Sequence, residues 1–337
     1  MIISIVIPSY NSAQTIIQCI EGCLEQQCTK DVVEIIIVDD GSTDSTKDVV
    51  EKYPVKYVYQ ENNGPAAARN RGWRAAKGDI VCFTDSDCIP DRTWVRQLLK
   101  KFIHPDITAV GGSYDIANRE GLIANCIHEE IMERHRNMPE YVHAFGSYNV
   151  AIRKEVLETV GGFDETYRRA SGEDNDLSYR ILKEGHKIAF ARNAIVAHHH
   201  TERFSIYLKE QFRHGYWRMK LYRDHPDMMK GDHYTSIKDI VEPPISLLLL
   251  LSALLAIGIS FMKAMTLVLL CLFVIIQLPM PLKIVLQKKD MKYLYLAWLT
   301  FFRGFARGSG MLVGAIRFWR FKGLGMLCSM LKNTLKS

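Results

Sequence analysis

The chain has 337 residues, 48% of them hydrophobic and 24% charged, enough to bury one large domain plus an appendage and incompatible with global disorder. Its net charge of +6 is unevenly set: charges run through residues 1–244, whereas 245–287 is almost purely apolar. The eight cysteines contain no CxxC pair and form neither a disulfide framework nor a zinc signature, which suits a reducing compartment.

Ile2–Ile7 is a short β-branched run ended by Pro8, the pattern of a buried parallel strand. It has no basic leader or cleavage site, so the bulk of the protein is expected to stay on the side where it was made. Ser12 is placed to cap a helix in which Ile16, Ile17, Ile20 and Leu24 recur at helical spacing, with Cys19, Cys23 and Cys28 on or beside it. Val33–Val38 reads as a second buried strand, broken by Asp39-Asp40-Gly41-Ser42. Asp44 or Ser45 then caps a helix ending near Tyr53, and Val55–Tyr59 is a third strand. Gly64-Pro65 opens a helix over Ala66–Ala76, and Ile80–Thr84 is a fourth strand running into Asp85. Alternating strands and helices predict an open α/β sheet, which binds ligands outside the carboxyl ends of its strands. Three polar breaks, Pro8–Asn11, Asp39–Ser42 and Asp85–Asp87, fall there.

Further along, helices are expected near Trp94–Phe102 and Leu122–Arg136, and a strand at Tyr148–Ile152. A helix from Lys154 to Gly161, a helix Glu173–Glu184 with acids in its first turn, and two short strands, Lys187–Ala191 and Ile195–His198, complete the reading. Tyr114–His143 carries no recognisable chemistry.

Four motifs follow in series: Ile5-Val6-Ile7-Pro8-Ser9-Tyr10-Asn11, Val38-Asp39-Asp40-Gly41-Ser42-Thr43-Asp44, Asp85-Ser86-Asp87 and Gly172-Glu173-Asp174-Asn175-Asp176-Leu177. Together they resemble glycosyltransferase family 2, of the GT-A fold, over roughly Met1 to Tyr222. The resemblance implies an inverting enzyme that uses a nucleotide-diphosphate sugar, expected to be UDP-linked, with Mn²⁺ or Mg²⁺. A hard cation on few carboxylates would stabilise the departing diphosphate. The family pattern makes Asp87 the metal ligand and Asp85 the acid nearer the nucleoside. It places Asp40 against the uracil imide, Pro8 and Tyr10 beside the base, and Asn11 and Ser86 along the donor. Arg69 in Ala68-Arg69-Asn70-Arg71-Gly72 is either near the nucleotide or an exposed helix residue. Asp174 is the general base for the acceptor hydroxyl, with Glu173 beside it as a second catalytic candidate. A helix start favours the ionised carboxylate, so Asp174 is expected to have a lowered pKa. In His198-His199-His200, alternate side chains share a face, and His198 is the expected further metal ligand.

Phe204–Arg223 interleaves aromatics with Lys209, Arg213, Arg218, Lys220 and Arg223, as in a basic helix on an anionic membrane surface, and Arg213 is also a candidate donor contact. Nucleic-acid binding is not expected. His214 and Gly215 break the Gln-x-x-Arg-Trp pattern of processive synthases after Gln211, which argues for one sugar per encounter. Ile245–Met262 and Ala264–Pro281 are spanning candidates, and Lys283, Lys288, Lys289 and Lys292 place the loop after them, and the catalytic domain, in the cytoplasm. Within Tyr293–Ile316, Arg303 and Arg307 would each cost roughly 2.5–3.5 kcal/mol at mid-bilayer, which favours an interfacial or re-entrant helix. The expected organisation is a GT-A domain over 1–223, a connecting segment over 224–244, a multi-pass membrane hairpin over 245–287, and interfacial helices with a basic tail over 288–337. A lipid-linked glycan is the expected acceptor, with bare polyprenyl phosphate, or a catalytically silent scaffold, as the rival readings. The absence of a Gly-rich loop after the first strand speaks against a nucleotidyltransferase or a dehydrogenase.

Overall fold

The structure is a computed structural model that describes residues 2–27, 32–169, 171–231, 233–235 and 237–334, so Cys28 lies outside the described residues. The chain divides into two compact units, the first ending at His200 and the second beginning at Thr201.

The first unit runs β1 (Ile2–Ser9), α1 (Ile16–Leu24), β2 (Val32–Asp39), α2 (Thr46–Val50), β3 (Lys56–Tyr59), α3 (Pro65–Ala75), β4 (Ile80–Thr84), β5 (Cys88–Pro90), α4 (Trp94–Leu99), β6 (Ile107–Ile116), α5 (Leu122–Arg136), β7 (Tyr141–Val142), β8 (Asn149–Arg153), α6 (Lys154–Val160), α7 (Glu173–Lys183) and β9 (Lys187–His198). Among the described residues the strands form one mixed sheet in the order β3-β2-β1-β4-β8-β6-β9-β5, with β7 also paired to β9. The first four strands are parallel, and their register sets Ser9 opposite Asp39 and Asp39 opposite Tyr59. Their carboxyl ends therefore open on the same edge, as the α/β pattern predicts.

Strand alternation explains the core. Ile3, Ile5 and Ile7 are fully buried with Ile16, Cys19 and Ile20 of α1 on one face of the sheet. Each such isoleucine stabilises the fold by ~1.5–3 kcal/mol. On the other face Val6 and Val38 meet α3 at Gly72, where a Cβ would overlap the Val6 side chain. Gly72→Ala is therefore expected to destabilise by roughly 1–3 kcal/mol. A thermal unfolding midpoint equal to wild type would show that α3 shifts without cost.

Several local readings change. Ser12 does not cap α1 through its side chain; the N-cap is Thr15, and the Ser12 carbonyl accepts from Thr15 and Ile16 N–H. Strands β5, β6 and β7 were not expected. The two short strands read near residue 190 are one strand, β9, whose pairing with β6 skips from Ala191 to Ile195. Fully buried Asn149 fills that irregularity, donating to Ser113 and Ala194 carbonyls at 2.8 and 2.9 Å and accepting from Trp94 Nε1 at 2.7 Å.

The second unit contains α8 (Phe204–Asp224), α9 (Ile237–Leu255), α10 (Ser260–Ile275), α11 (Pro279–Lys288) and α12 (Tyr295–Thr334). Helix α8, read in sequence as the end of the N-terminal domain, belongs here. It packs on α12 backbone to backbone: a Cβ at Gly215 would meet the Arg307 carbonyl, and one at Gly310 the Phe212 carbonyl. Arg303 and Arg307 are not isolated cations. Buried Arg303 pairs with buried Glu242 of α9 at 3.3 Å, and Arg307 reaches Asp239 at 3.3 Å and Gln211 at 2.8 Å. The expected interfacial or re-entrant segment lies within α12, a helix continuous over 40 residues.

The two-span hairpin is corrected in extent. The chain breaks between Leu255 and Ser260, inside the first expected span. Lys238, Asp239 and Glu242 load the start of α9 with charge. Among the described residues one helical run, Ser260–Lys288, whose most apolar 18-residue stretch has a mean hydropathy of 2.3, is long and apolar enough to cross a membrane.

Candidate active site

The ends of β1 and β2 are locked together by local hydrogen bonds. Asn11, held at a φ of 50° that Asn tolerates better than most residues, accepts from Thr43 N–H at 2.8 Å, while its own N–H donates to Ser42 Oγ at 2.9 Å. Asp39 is buried, accepting from Ser42 N–H at 2.8 Å and Tyr57 Oη at 2.7 Å. Asp40 accepts from Gln60 Nε2 at 2.7 Å and from Asn63 and Gly64 N–H at 2.8 Å each. Its carboxylate thus organises the loop that leads into α3. Beside these, Pro8 is buried and Tyr10 exposed. Ser12 Oγ and Ser86 Oγ, 2.7 Å apart, tie the β1 loop to the Asp-Ser-Asp turn.

Arg69 is buried rather than exposed, and its guanidinium bridges two acids: Nη2 donates to Asp85 Oδ1 at 2.7 Å and Nη1 to Glu173 Oε1 at 2.9 Å. Helix α3 thus joins the end of β4 to the start of α7, residues far apart in the chain. The second Glu173 oxygen accepts from Ser171 N–H at 2.8 Å, so this carboxylate is committed to structure on both sides.

Asp174 is the next residue, in the first turn of α7 behind Gly172, whose φ of 106° requires glycine. Its Oδ1 accepts from Asn175 N–H at 2.8 Å. The expected lowering of its pKa is overturned. Burial, then the charge of Glu173, pushes the carboxyl up to about 7, against the opposing pull of the Asn175 N–H and Arg69. The helix terminus is outweighed because an adjacent buried anion and desolvation act at shorter range than the dipole.

A second cluster forms where β5 pairs with β9. The register sets Cys88 directly opposite His198, and His199 N–H donates to the Asp87 carbonyl at 3.1 Å. Asp87 Oδ2 and His198 Nε2 consequently stand 3.5 Å apart. Burial alone would raise the Asp87 carboxyl; the facing His198 ring outweighs it and holds the group below its ordinary value. Two donors on one cation at ~2.1 Å, separated by 90–110°, lie roughly 3.0–3.5 Å apart. The pair fits a divalent ion, and a carboxylate with an imidazole suits Mn²⁺ as well as Mg²⁺. Cys88 Sγ falls in the same group, with all three ligand atoms within 4.8 Å of one another. Sequence reasoning missed Cys88 because β5 was not expected.

Tyr114, from a segment that seemed featureless, stacks on Tyr148 with ring centres 3.8 Å apart and meets the His198 ring in a T-shaped contact with centres 5.5 Å apart. The signal available was the alternation through Ile107–Ile116, obscured by Gly111-Gly112. Arg213 lies on α8 in the second unit and is not among the residues gathered by the first.

The parallel part of a mixed sheet, with Asp39, Asp40, Asp85 and Asp87 at its carboxyl edge and a further acid pair brought in by a buried arginine, is an α/β arrangement of GT-A type. Residues 4–161 match Glycosyl transferase family 2, and residues 131–204 match the N-terminal domain of galactosyltransferase. The chain thus carries a glycosyltransferase family 2 domain over residues 4–161. It is 29% identical over 227 residues to glycosyltransferase AglE of Haloferax volcanii, spanning 63% of this chain and 71% of that protein. It is 32% identical over 211 residues to the pre-mycofactocin glycosyltransferase of Mycobacterium tuberculosis, of which it spans 43%. In fold it is similar to a mannosyltransferase from Pyrobaculum calidifontis in complex with GDP-Man and Mn²⁺, with a TM-score of 0.57, 21% identity, and coverage of 92% of this chain and 86% of that one.

Proposed function

We propose that this chain transfers one sugar, with inversion, from a UDP-sugar to a hydroxyl group of a lipid-linked glycan at a membrane surface. The observation that carries the reading is Asp174: a carboxylate tuned to about 7, one residue from an acid that Arg69 ties to the Asp-Ser-Asp turn. A general base works best with a pKa near the operating pH. The acceptor oxygen bonds to the anomeric carbon, its proton passes to Asp174, and the bond from that carbon to the diphosphate oxygen breaks. Asp85 and Ser86 face the donor, with Pro8, Tyr10 and Asn11 around the base. Asp87 and His198 would hold Mn²⁺ or Mg²⁺, which supplies charge neutralisation for the diphosphate when bound. Glu173 has the separate task of keeping Arg69 in place, and Arg213 remains a proposed donor contact.

The membrane part of the reading is supported by the apolar run Ser260–Lys288, with Phe261 72% and Leu267 61% exposed. By the positive-inside rule, Lys288, Lys289 and Lys292 favour a cytoplasmic location for the carboxyl-terminal end of that run.

The full chain, purified in detergent with Mn²⁺, is tested against UDP- and GDP-sugars with extracted membrane lipids as acceptor, reading nucleotide release and acceptor mass. Transfer to a glycan-lipid supports the reading. Transfer only to bare polyprenyl phosphate, or binding of donor without any transfer, sinks it.

The same site sets a pH dependence. Below about 7 Asp174 is protonated and cannot accept a proton, so kcat/KM is expected to fall tenfold per unit as pH drops below that value. A profile flat from pH 8 to 5 would remove Asp174 from the base role.

A further inference from the structure

We propose that His200 is a positioning residue that sets the tautomer of His198, and so presents the His198 Nε2 lone pair to the cation; this rests on the metal-site reading above. The Nδ1 atoms of the two rings are 3.2 Å apart. At that separation one nitrogen carries the proton and the other accepts it. A nitrogen that binds a cation does so through its lone pair. If His198 uses Nε2, the atom facing Asp87 Oδ2, its proton must sit on Nδ1. His200 Nδ1 is then the acceptor, and the His200 proton is on Nε2. The opposite tautomer would aim an N–H at the cation.

Two features make His200 suited to the task. Its backbone is clamped on both sides by Asn118, whose Nδ2 donates to the His200 carbonyl at 2.7 Å and whose Oδ1 accepts the His200 N–H at 2.9 Å. The ring packs 5.7 Å from Tyr114 and 6.0 Å from His128. On its far side, buried Nε2 has no hydrogen-bond partner among the described residues, so nothing at that atom competes with His198 for the His200 tautomer. Metal-bound histidines commonly use a carboxylate or carbonyl in this position. An imidazole acceptor fixes the same tautomer without adding a second negative charge beside Asp87.

The test is Mn²⁺ affinity of the full chain, measured by titrating Mn²⁺ alone and following the EPR signal of the free ion. His200→Phe removes the acceptor but keeps a ring, and is expected to weaken Mn²⁺ binding about 10–100-fold. His200→Asn, whose side-chain oxygen falls near the Nδ1 position, is expected to restore wild-type affinity. Thermal midpoints of both variants show whether they fold. His198→Ala separates the two layers of the argument: if it leaves Mn²⁺ affinity unchanged, the metal-site reading falls and the proposal with it. If His198→Ala loses Mn²⁺ while folded His200→Phe keeps it, the role of His200 alone is overturned, as it is if Phe and Asn weaken binding equally. Should His200→Phe not fold, ¹⁵N spectra of the wild-type histidine rings decide. Protons on His198 Nδ1 and His200 Nε2 support the proposal, and the reverse pair overturns it.

Discussion

Asp174→Asn is expected to lower kcat about 10²–10⁴-fold with a hydroxyl acceptor while donor affinity stays close to wild type. Asn has nearly the shape of Asp and keeps an oxygen for the Asn175 N–H, which the carboxylate accepts at 2.8 Å. What it loses is the capacity to take a proton. Donor affinity is measured by calorimetry and kcat by nucleotide release under saturating donor. A variant with full turnover on a glycan-lipid would show that the acceptor is already ionised or that another group is the base. The substitution also removes one of two adjacent acids, so a small rise in thermal midpoint is compatible with the reading and a large fall is not.

Arg69→Met is expected to be the most damaging single change to the first unit. Arg69 is 1% exposed, and its guanidinium is the partner of Glu173, itself 2% exposed, as well as of Asp85. Removing one member of a buried pair leaves an uncompensated charge, at a cost of ~3–5 kcal/mol. Most of that comes from the Glu173 side, because the Asp85 side chain is 31% exposed and water screens it. Adding Glu173→Gln to Arg69→Met should recover part of the lost thermal stability, whereas activity should stay low because Asp85 and α7 are no longer tied together. Additive losses in the double variant would show that the two side chains do not interact in the way their 2.9 Å contact implies.

These two residues differ in how readable they were. Asp174 follows from a motif: acids behind a glycine at a helix start can be recognised in one dimension. Arg69 sits in Ala68-Arg69-Asn70-Arg71-Gly72, where nothing local separates a buried bridge from a solvated helix cation. Its role comes from partners 16 and 104 residues away. The pKa of Asp174 was misread for the same reason. A helix terminus is visible in sequence, whereas burial and a charged neighbour's distance are properties of packing.

The facing Asp87 and His198 show a third case. Asp87 and His198 were both legible as candidates, but their 3.5 Å separation depends on β5 lying antiparallel to β9, and a three-residue strand gives too weak a periodic signal to detect. Arg303 and Arg307 likewise looked costly until α9 supplied Glu242 and Asp239.

Local chemistry alone determined the parallel strands β1 to β4, the polar turns at their ends, the acids placed there, and an apolar run able to cross a bilayer, because hydrophobic period, turn residues and run length are written in neighbouring positions. Only the tertiary structure decided which acid faces His198, which one is held near neutrality, and which arginines are structural. Those outcomes depend on distance and desolvation, and both are set by segments that meet only when the chain is folded.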